Sequence, residues 1–218
     1  MTSKNIDFTL YLVTDRRWLG EKSLPEAVEE AIQGGVTIVQ LREKDVTSRK
    51  YLEIAKTVKQ VTDRHRIPLI INDRTDIAFA CDAAGVHLGA EDLPVPVARK
   101  ILGEKKIIGA SAESLEEAII LEEQGADYLG VGAVFPTDTK TDAGSITLEE
   151  LAEIKANVKI PVVAIGGITA ENAAATVKTG VDGLAVVSAI MAQKDIQAAT
   201  RHLLEIVKSG QKMSQRKA

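Results

Sequence analysis

Gln40, Arg42 and Lys44 stand two residues apart in the run Gln40-Leu41-Arg42-Glu43-Lys44. Strand side chains alternate faces with period two, so a strand here sends all three to one face. Two cations on an inward face cost desolvation unless an anion meets them. The spacing points either to an anionic ligand or to a structural network with Asp and Glu. Asn72-Asp73-Arg74 and Asp92 add two carboxylates on neighbouring segments. Mg²⁺ typically takes one or two carboxylates and completes its shell with water and phosphate oxygens. Capping or surface aspartates would look the same in sequence. Beside Arg42 and Lys44 the pair fits a polyphosphate site, where cations and Mg²⁺ commonly combine.

Gly166-Gly167 and Val187-Ser188 suggest a second way of holding an anion. Glycine lets backbone N–H groups approach phosphate oxygens, and a helix start adds attraction. A plain tight turn is the alternative. Thr137, Thr139 and Lys140 put donors and a cation on the loop 135–140. That is the pattern of a substrate clamp or lid, or else of a solvated surface loop. Ser111 is a candidate central donor, or a cap or satisfied hydroxyl. His87 reads as a packed, hydrogen-bonded histidine, since nothing nearby forms a triad. Cys81 reads as a small buried hydrophobe. A single cysteine excludes an internal disulfide and a cysteine-cluster zinc site.

These residues need elements to position them. Short aliphatic runs predict strands at 10–14, 37–42, 69–72, 85–88, 106–110, 128–131, 162–165 and 183–187. Amphipathic stretches between them predict helices at 24–33, 48–65, 75–81, 95–102, 114–124, 148–155, 170–178 and 196–209. Gly34-Gly35, Gly125 and Gly180 follow helices, where the chain turns through the left-handed region. Ser114 with Glu117 and Thr147 with Glu150 have the spacing of capping boxes. Strict alternation of continuous apolar strands with helices implies a covered parallel sheet. Eight such units predict an α/β fold with a single (β/α)8 TIM barrel over residues 1–218; an open doubly wound sheet is the alternative. The head 1–7 and the basic tail 209–218 are expected to fray. Barrel chemistry sits at the C-terminal strand ends. Here the exits of the predicted strands carry polar residues or glycine.

Composition sets the outer limits. The chain has 218 residues, 45% apolar and 27% charged, enough for a sizeable core. Aromatics make up only 3%, which predicts an aliphatic core and argues against a stacking platform for nucleic acid. The net charge of −4 makes a poor binder of phosphate backbones, although the tail from Lys208 onward has four basic and no acidic residues. No apolar run approaches the roughly 18 residues of a membrane span. No charged-then-apolar leader opens the chain. A soluble cytoplasmic protein without nucleic-acid or membrane partners is the expectation, with homo-oligomerisation left open. The blind pattern is two anion sites at one barrel mouth, suited to two phosphorylated substrates or one bisphosphate.

The same segments resemble the thiamine-phosphate synthase family. The resemblance rests on Tyr11-Leu12-Val13-Thr14-Asp15, Gln40-Leu41-Arg42-Glu43-Lys44, Ile71-Asn72-Asp73-Arg74 and Gly85-Val86-His87-Leu88-Gly89. It continues through Gly130-Val131-Gly132-Ala133-Val134-Phe135-Pro136-Thr137, Thr139-Lys140, Ala164-Ile165-Gly166-Gly167-Ile168 and Val187-Ser188-Ala189-Ile190. It spans about 11–190. Ala133 and Ala110 stand where a proline and a valine are often seen, outside the polar set. The resemblance implies a transferase of thiamine biosynthesis. Such an enzyme joins 4-amino-2-methyl-5-hydroxymethylpyrimidine diphosphate to 4-methyl-5-(2-hydroxyethyl)thiazole phosphate, with release of diphosphate. It implies that Gln40, Arg42, Lys44, Asn72 and Lys140 hold the pyrimidine diphosphate and that Ser111 lies at the pyrimidine. It assigns Asp73 and Asp92 to Mg²⁺, and Thr137, Thr139, Gly167, Val187 and Ser188 to the thiazole phosphate. The catalytic set it implies is Ser111, Arg42, Lys44 and Lys140, acting in a dissociative reaction without a protein nucleophile. A thiazole tautomerase on the same barrel would need the phosphate cup alone. A non-catalytic phosphate-ligand sensor would need no metal aspartates. An aldolase would want a Schiff-base lysine at a strand end.

Overall fold

Eight four- to six-residue strands pair in parallel, each with the next, and β8 closes on β1. The strands are β1 (Leu10–Val13), β2 (Ile38–Leu41), β3 (Leu69–Asn72), β4 (Gly85–Leu88), β5 (Ile107–Ala112), β6 (Tyr128–Val131), β7 (Val162–Ile165) and β8 (Gly183–Val186). The computed structural model describes residues 6–137 and 145–215. The helices are α1 (Leu24–Gly34), α2 (Ser48–His65), α3 (Thr75–Ala80), α4 (Val95–Leu102), α5 (Leu115–Glu123), α6 (Leu148–Asn157), α7 (Ala170–Val177), α8 (Ser188–Met191) and α9 (Ile196–Gln215). The closed barrel is the fold the alternation predicted, and the open sheet is excluded.

Local chemistry sets the helix limits. Ser23 caps α1 through the amide of Glu26, whose carboxylate accepts the Ser23 N–H at 2.9 Å. Thr147 and Glu150 make the same reciprocal box at α6. At α5 only half of the expected box forms. Ser114 accepts from the Glu117 amide, but the Glu117 carboxylate accepts from Glu113 N–H instead. Gly35 ends α1 at φ 109°, where a side chain would be strained.

Two apolar layers follow. Strand residues facing outward pack with the helices in one cluster that includes Leu10, Leu12, Val39, Ile71, Ile108 and Leu129. The barrel interior holds Phe8, Tyr11, Val13, Ile38, Ile70, Ile107, Tyr128, Val163 and Ala185. That interior corrects the expectation of a purely aliphatic core. Composition counts aromatic residues but does not place them, and all three tyrosines are fully buried.

Two boundaries also differ from expectation. β2 ends at Leu41, so Arg42 and Lys44 belong to the loop beyond it and period-two alternation does not apply to them. The tail does not fray from 209: α9 continues to Gln215. Gly210 packs on Val177, and Gln211 Nε2 donates to the Asp182 carbonyl at 3.0 Å. Among the described residues no helix is long and apolar enough to cross a membrane.

Candidate active site

A cavity of ≈ 680 Å³ opens at the C-terminal ends of the strands. It brings together Gln40, Arg42, Lys44, Asn72, Asp73, Asp92, Ser111, Thr137, Gly167, Val187 and Ser188. Every expected site residue among the described ones therefore lines one space. Thr139 and Lys140 lie outside the described residues.

One wall carries charge. Lys44 Nζ is 2.6 Å from Asp73 Oδ2, and the lysine side chain is half exposed. Arg42 is tied by its amide to Thr14 Oγ1 at 3.0 Å, and its guanidinium lies 3.9 Å from Asp15 Oδ2. Asp15 is itself buried and gripped by Arg17. Burial opposes ionisation of Asp15, but the Arg17 hydrogen bonds outweigh it and hold the carboxyl below its usual range. Glu43, buried beside Arg16, is pushed up by burial. The cations at this mouth thus meet carboxylates as well as open cavity.

Asp73 and Asp92 test the fit of a metal. Asp92 accepts from the Gly89 amide at 2.7 Å. Its pKa is raised, first by burial and then by the charge of and hydrogen bond with Asp73. Two carboxylates so close repel each other unless a proton or cation lies between them. Among the described residues no group of three or more His, Cys, Asp or Glu could hold a metal. The pair therefore suits an ion that takes one or two carboxylates and borrows its remaining oxygens, as Mg²⁺ does. Asn72 is buried and its Nδ2 has no hydrogen-bond partner. A buried donor left unpaired is costly, and the residue that carries it lines the cavity.

The opposite wall is neutral. Gly166 and Gly167 leave β7 at φ 97° and 62°. A Cβ on Gly167 would lie 2.4 Å from the Pro136 carbonyl oxygen. Phe135 N–H donates to the Gly166 carbonyl at 3.1 Å, so the loop after β6 docks on the β7 turn and carries Thr137 to the cavity. Val187 precedes α8, which starts at Ser188. The Ile190 and Met191 amides donate to the Val187 carbonyl, and the amides ahead of them at the helix start have no acceptor within the helix.

The floor was legible only in part. Tyr11, Tyr128 and His87 join Gln40 and Ser111 in a hydrogen-bonded row. His87 is the packed, hydrogen-bonded histidine expected; the tyrosines carried no motif in the sequence.

The profile of the thiamine monophosphate synthase family matches residues 10–190. The chain belongs to that family. It is 57% identical over 206 residues to the thiamine-phosphate synthase of Ruminiclostridium cellulolyticum, covering 94% of this chain and 98% of that one. It is 53% identical over 203 residues to the thiamine-phosphate synthase of Clostridium tetani, covering 93% and 97%. Among solved structures, thiamine phosphate pyrophosphorylase from Pyrococcus furiosus superposes with a TM-score of 0.88 at 48% identity, covering 94% and 98%. As a member of the thiamine monophosphate synthase family the chain is a transferase of thiamine biosynthesis that forms thiamine phosphate. The tautomerase and sensor alternatives are not favoured.

Proposed function

We propose that the cavity joins a hydroxymethylpyrimidine diphosphate to a hydroxyethylthiazole phosphate, with each phosphate end on its own wall. The observation that carries this is the pairing, in one cavity, of a cation–carboxylate wall with a neutral glycine–amide wall. The first suits a diphosphate that must leave as a polyanion. The second suits a phosphate that stays bound.

Gln40, Arg42, Lys44, Asn72 and Lys140 hold the pyrimidine diphosphate, with Ser111 at the pyrimidine ring. Thr137, Thr139, Gly167, Val187 and Ser188 hold the thiazole phosphate. Asp73 and Asp92 would hold Mg²⁺, which supplies charge neutralisation to the departing diphosphate. The reaction is dissociative. The bond from the exocyclic carbon to the diphosphate oxygen breaks first, and its electron pair leaves with the diphosphate. The electron-rich pyrimidine stabilises the cation, and the thiazole nitrogen then donates its lone pair to that carbon. No protein nucleophile is needed. Arg42, Lys44 and Lys140 stabilise the negative charge that develops on the departing diphosphate. Lys44 would leave its contact with Asp73 for a phosphate oxygen, which frees the Asp73 carboxylate.

The test is incubation of the purified chain with both substrates, with and without Mg²⁺, following diphosphate and thiamine phosphate. Both products are expected only with the metal. Lys44→Ala and Asp73→Ala should each lower turnover about 100-fold or more. The Lys44→Ala melting temperature should stay near that of the parent, because an ion pair with a half-exposed lysine contributes only about 0–1 kcal/mol; Asp73 sits at φ 64°, where alanine adds strain, so Asp73→Asn is the second variant compared for stability. Near-normal turnover in either variant, or thiazole isomerisation without condensation, would overturn the assignment.

A further inference from the structure

Five side chains cross the cavity floor in one hydrogen-bonded row. Gln40 Nε2 donates to Tyr11 Oη at 2.9 Å. Tyr11 Oη lies 2.7 Å from Tyr128 Oη. Tyr128 Oη is 3.0 Å from His87 Nδ1, and His87 Nε2 is 3.0 Å from Ser111 Oγ. The surrounding backbone leaves room for this row. A Cβ on Gly109 would sit 2.1 Å from the Tyr128 ring, and one on Gly130 would sit 2.9 Å from the His87 ring. Burial raises both phenols above their ordinary pKa, so they stay protonated at neutral pH.

The row has a direction. A glutamine amide nitrogen can only donate. Tyr11 Oη accepts that hydrogen and must place its own, and inside the barrel Tyr128 Oη is the remaining partner. A buried hydroxyl hydrogen without an acceptor is costly. Tyr128 then accepts from Tyr11 and donates to His87 Nδ1. A neutral imidazole that accepts at Nδ1 carries its hydrogen on Nε2. His87 therefore donates to Ser111 Oγ, and the serine keeps its own hydrogen for whatever lies in the cavity.

We propose that Tyr11, Tyr128 and His87 are positioning residues that set the hydrogen-bond polarity of the floor, with Ser111 as donor and Gln40 keeping its amide oxygen as acceptor. The ligand selected is a heteroaromatic ring that pairs an acceptor ring nitrogen with a donor amino group. This rests on the pyrimidine lying at Ser111, as proposed above. With Gln40 turned over, every bond in the row would reverse, and the site would select the opposite ring pattern.

The test is nitrogen-15 NMR of the full chain without substrate, at pH about 8, above the ordinary imidazole range. His87→Gln assigns the His87 signals. Nε2 is expected to be protonated and Nδ1 bare. Protonated Nδ1 would overturn the proposal. Tyr128→Phe keeps the ring packing and cuts the row, so the Nε2–H preference should relax. The KM for the pyrimidine diphosphate should then rise about tenfold, with that for the thiazole phosphate within about twofold. Tyr11→Phe, as a second cut, should act in the same sense. An unchanged tautomer in Tyr128→Phe, or equal effects on both substrates, would overturn the proposal. The NMR result needs no substrate. A chain with the expected tautomer but no thiamine phosphate would overturn the substrate assignment and still support the polarity of the row.

Discussion

Asp15 stands behind the cationic wall and shows how a single carboxylate ties fold to site. It accepts from the Arg17 backbone and guanidinium and faces Arg42 across 3.9 Å. Its folded pKa lies below the unfolded value, because Arg17 outweighs burial. The linked stability is therefore present above the unfolded pKa of about 3.9 and is lost as pH falls through the lower folded value. Asp15→Asn should cost about 1–3 kcal/mol at pH 7, the worth of hydrogen bonds to a charged group. The deficit should shrink once pH falls below about 3.9. Urea unfolding at a series of pH values checks this; a deficit independent of pH would show that the charge is not responsible. At this scale the polar residue types were legible in sequence. The partners were not: nothing local says that Lys44 meets Asp73, 29 residues away.

Between β7 and α7 the chain makes a turn that the site depends on. Gly167 sits at φ 62° and has no space for a side chain beside Pro136. Gly167→Ala should cost about 1–3 kcal/mol in strain. It should also push the loop bearing Thr137 off the turn, raising the KM for thiazole phosphate about tenfold or more; one lost hydrogen bond to a charged group is already worth about that much. Steady-state kinetics with each substrate varied in turn measures it. An unchanged thiazole KM would remove the phosphate from this wall. Strand and helix positions were legible because aliphatic runs and glycine stops are local signals. The ends were less so. β2 stops at Leu41, and β5 runs on to Ala112 with Ser111 inside it, because pairing with a neighbour decides where a ladder ends.

Over the whole molecule, closure of β8 on β1 gathers eight strand exits into one mouth. α9 lies on the outside against α1 and α7. Gly34 lets it approach, since a Cβ there would lie 2.5 Å from Thr200 Cβ. A chain ending at Lys208 loses the Gly210 and Gln211 contacts. It should melt about 2–8 °C lower, as expected for a loss of about 1–2 kcal/mol in a chain of this size. Both KM values should stay unchanged. Thermal melting and kinetics on the truncated chain test this, and an altered KM would link the tail to the cavity.

The sequence by itself determined the alternation of strands and helices and the sidedness of the polar residues, because each is written in types and spacings along the chain. Only the tertiary structure decided that the cations meet carboxylates and that Asn72 keeps a buried amide unpaired. It alone assembled tyrosines from β1 and β6 with a histidine from β4 into a floor. Those are contacts between strands far apart in sequence, and they exist only once the barrel has closed.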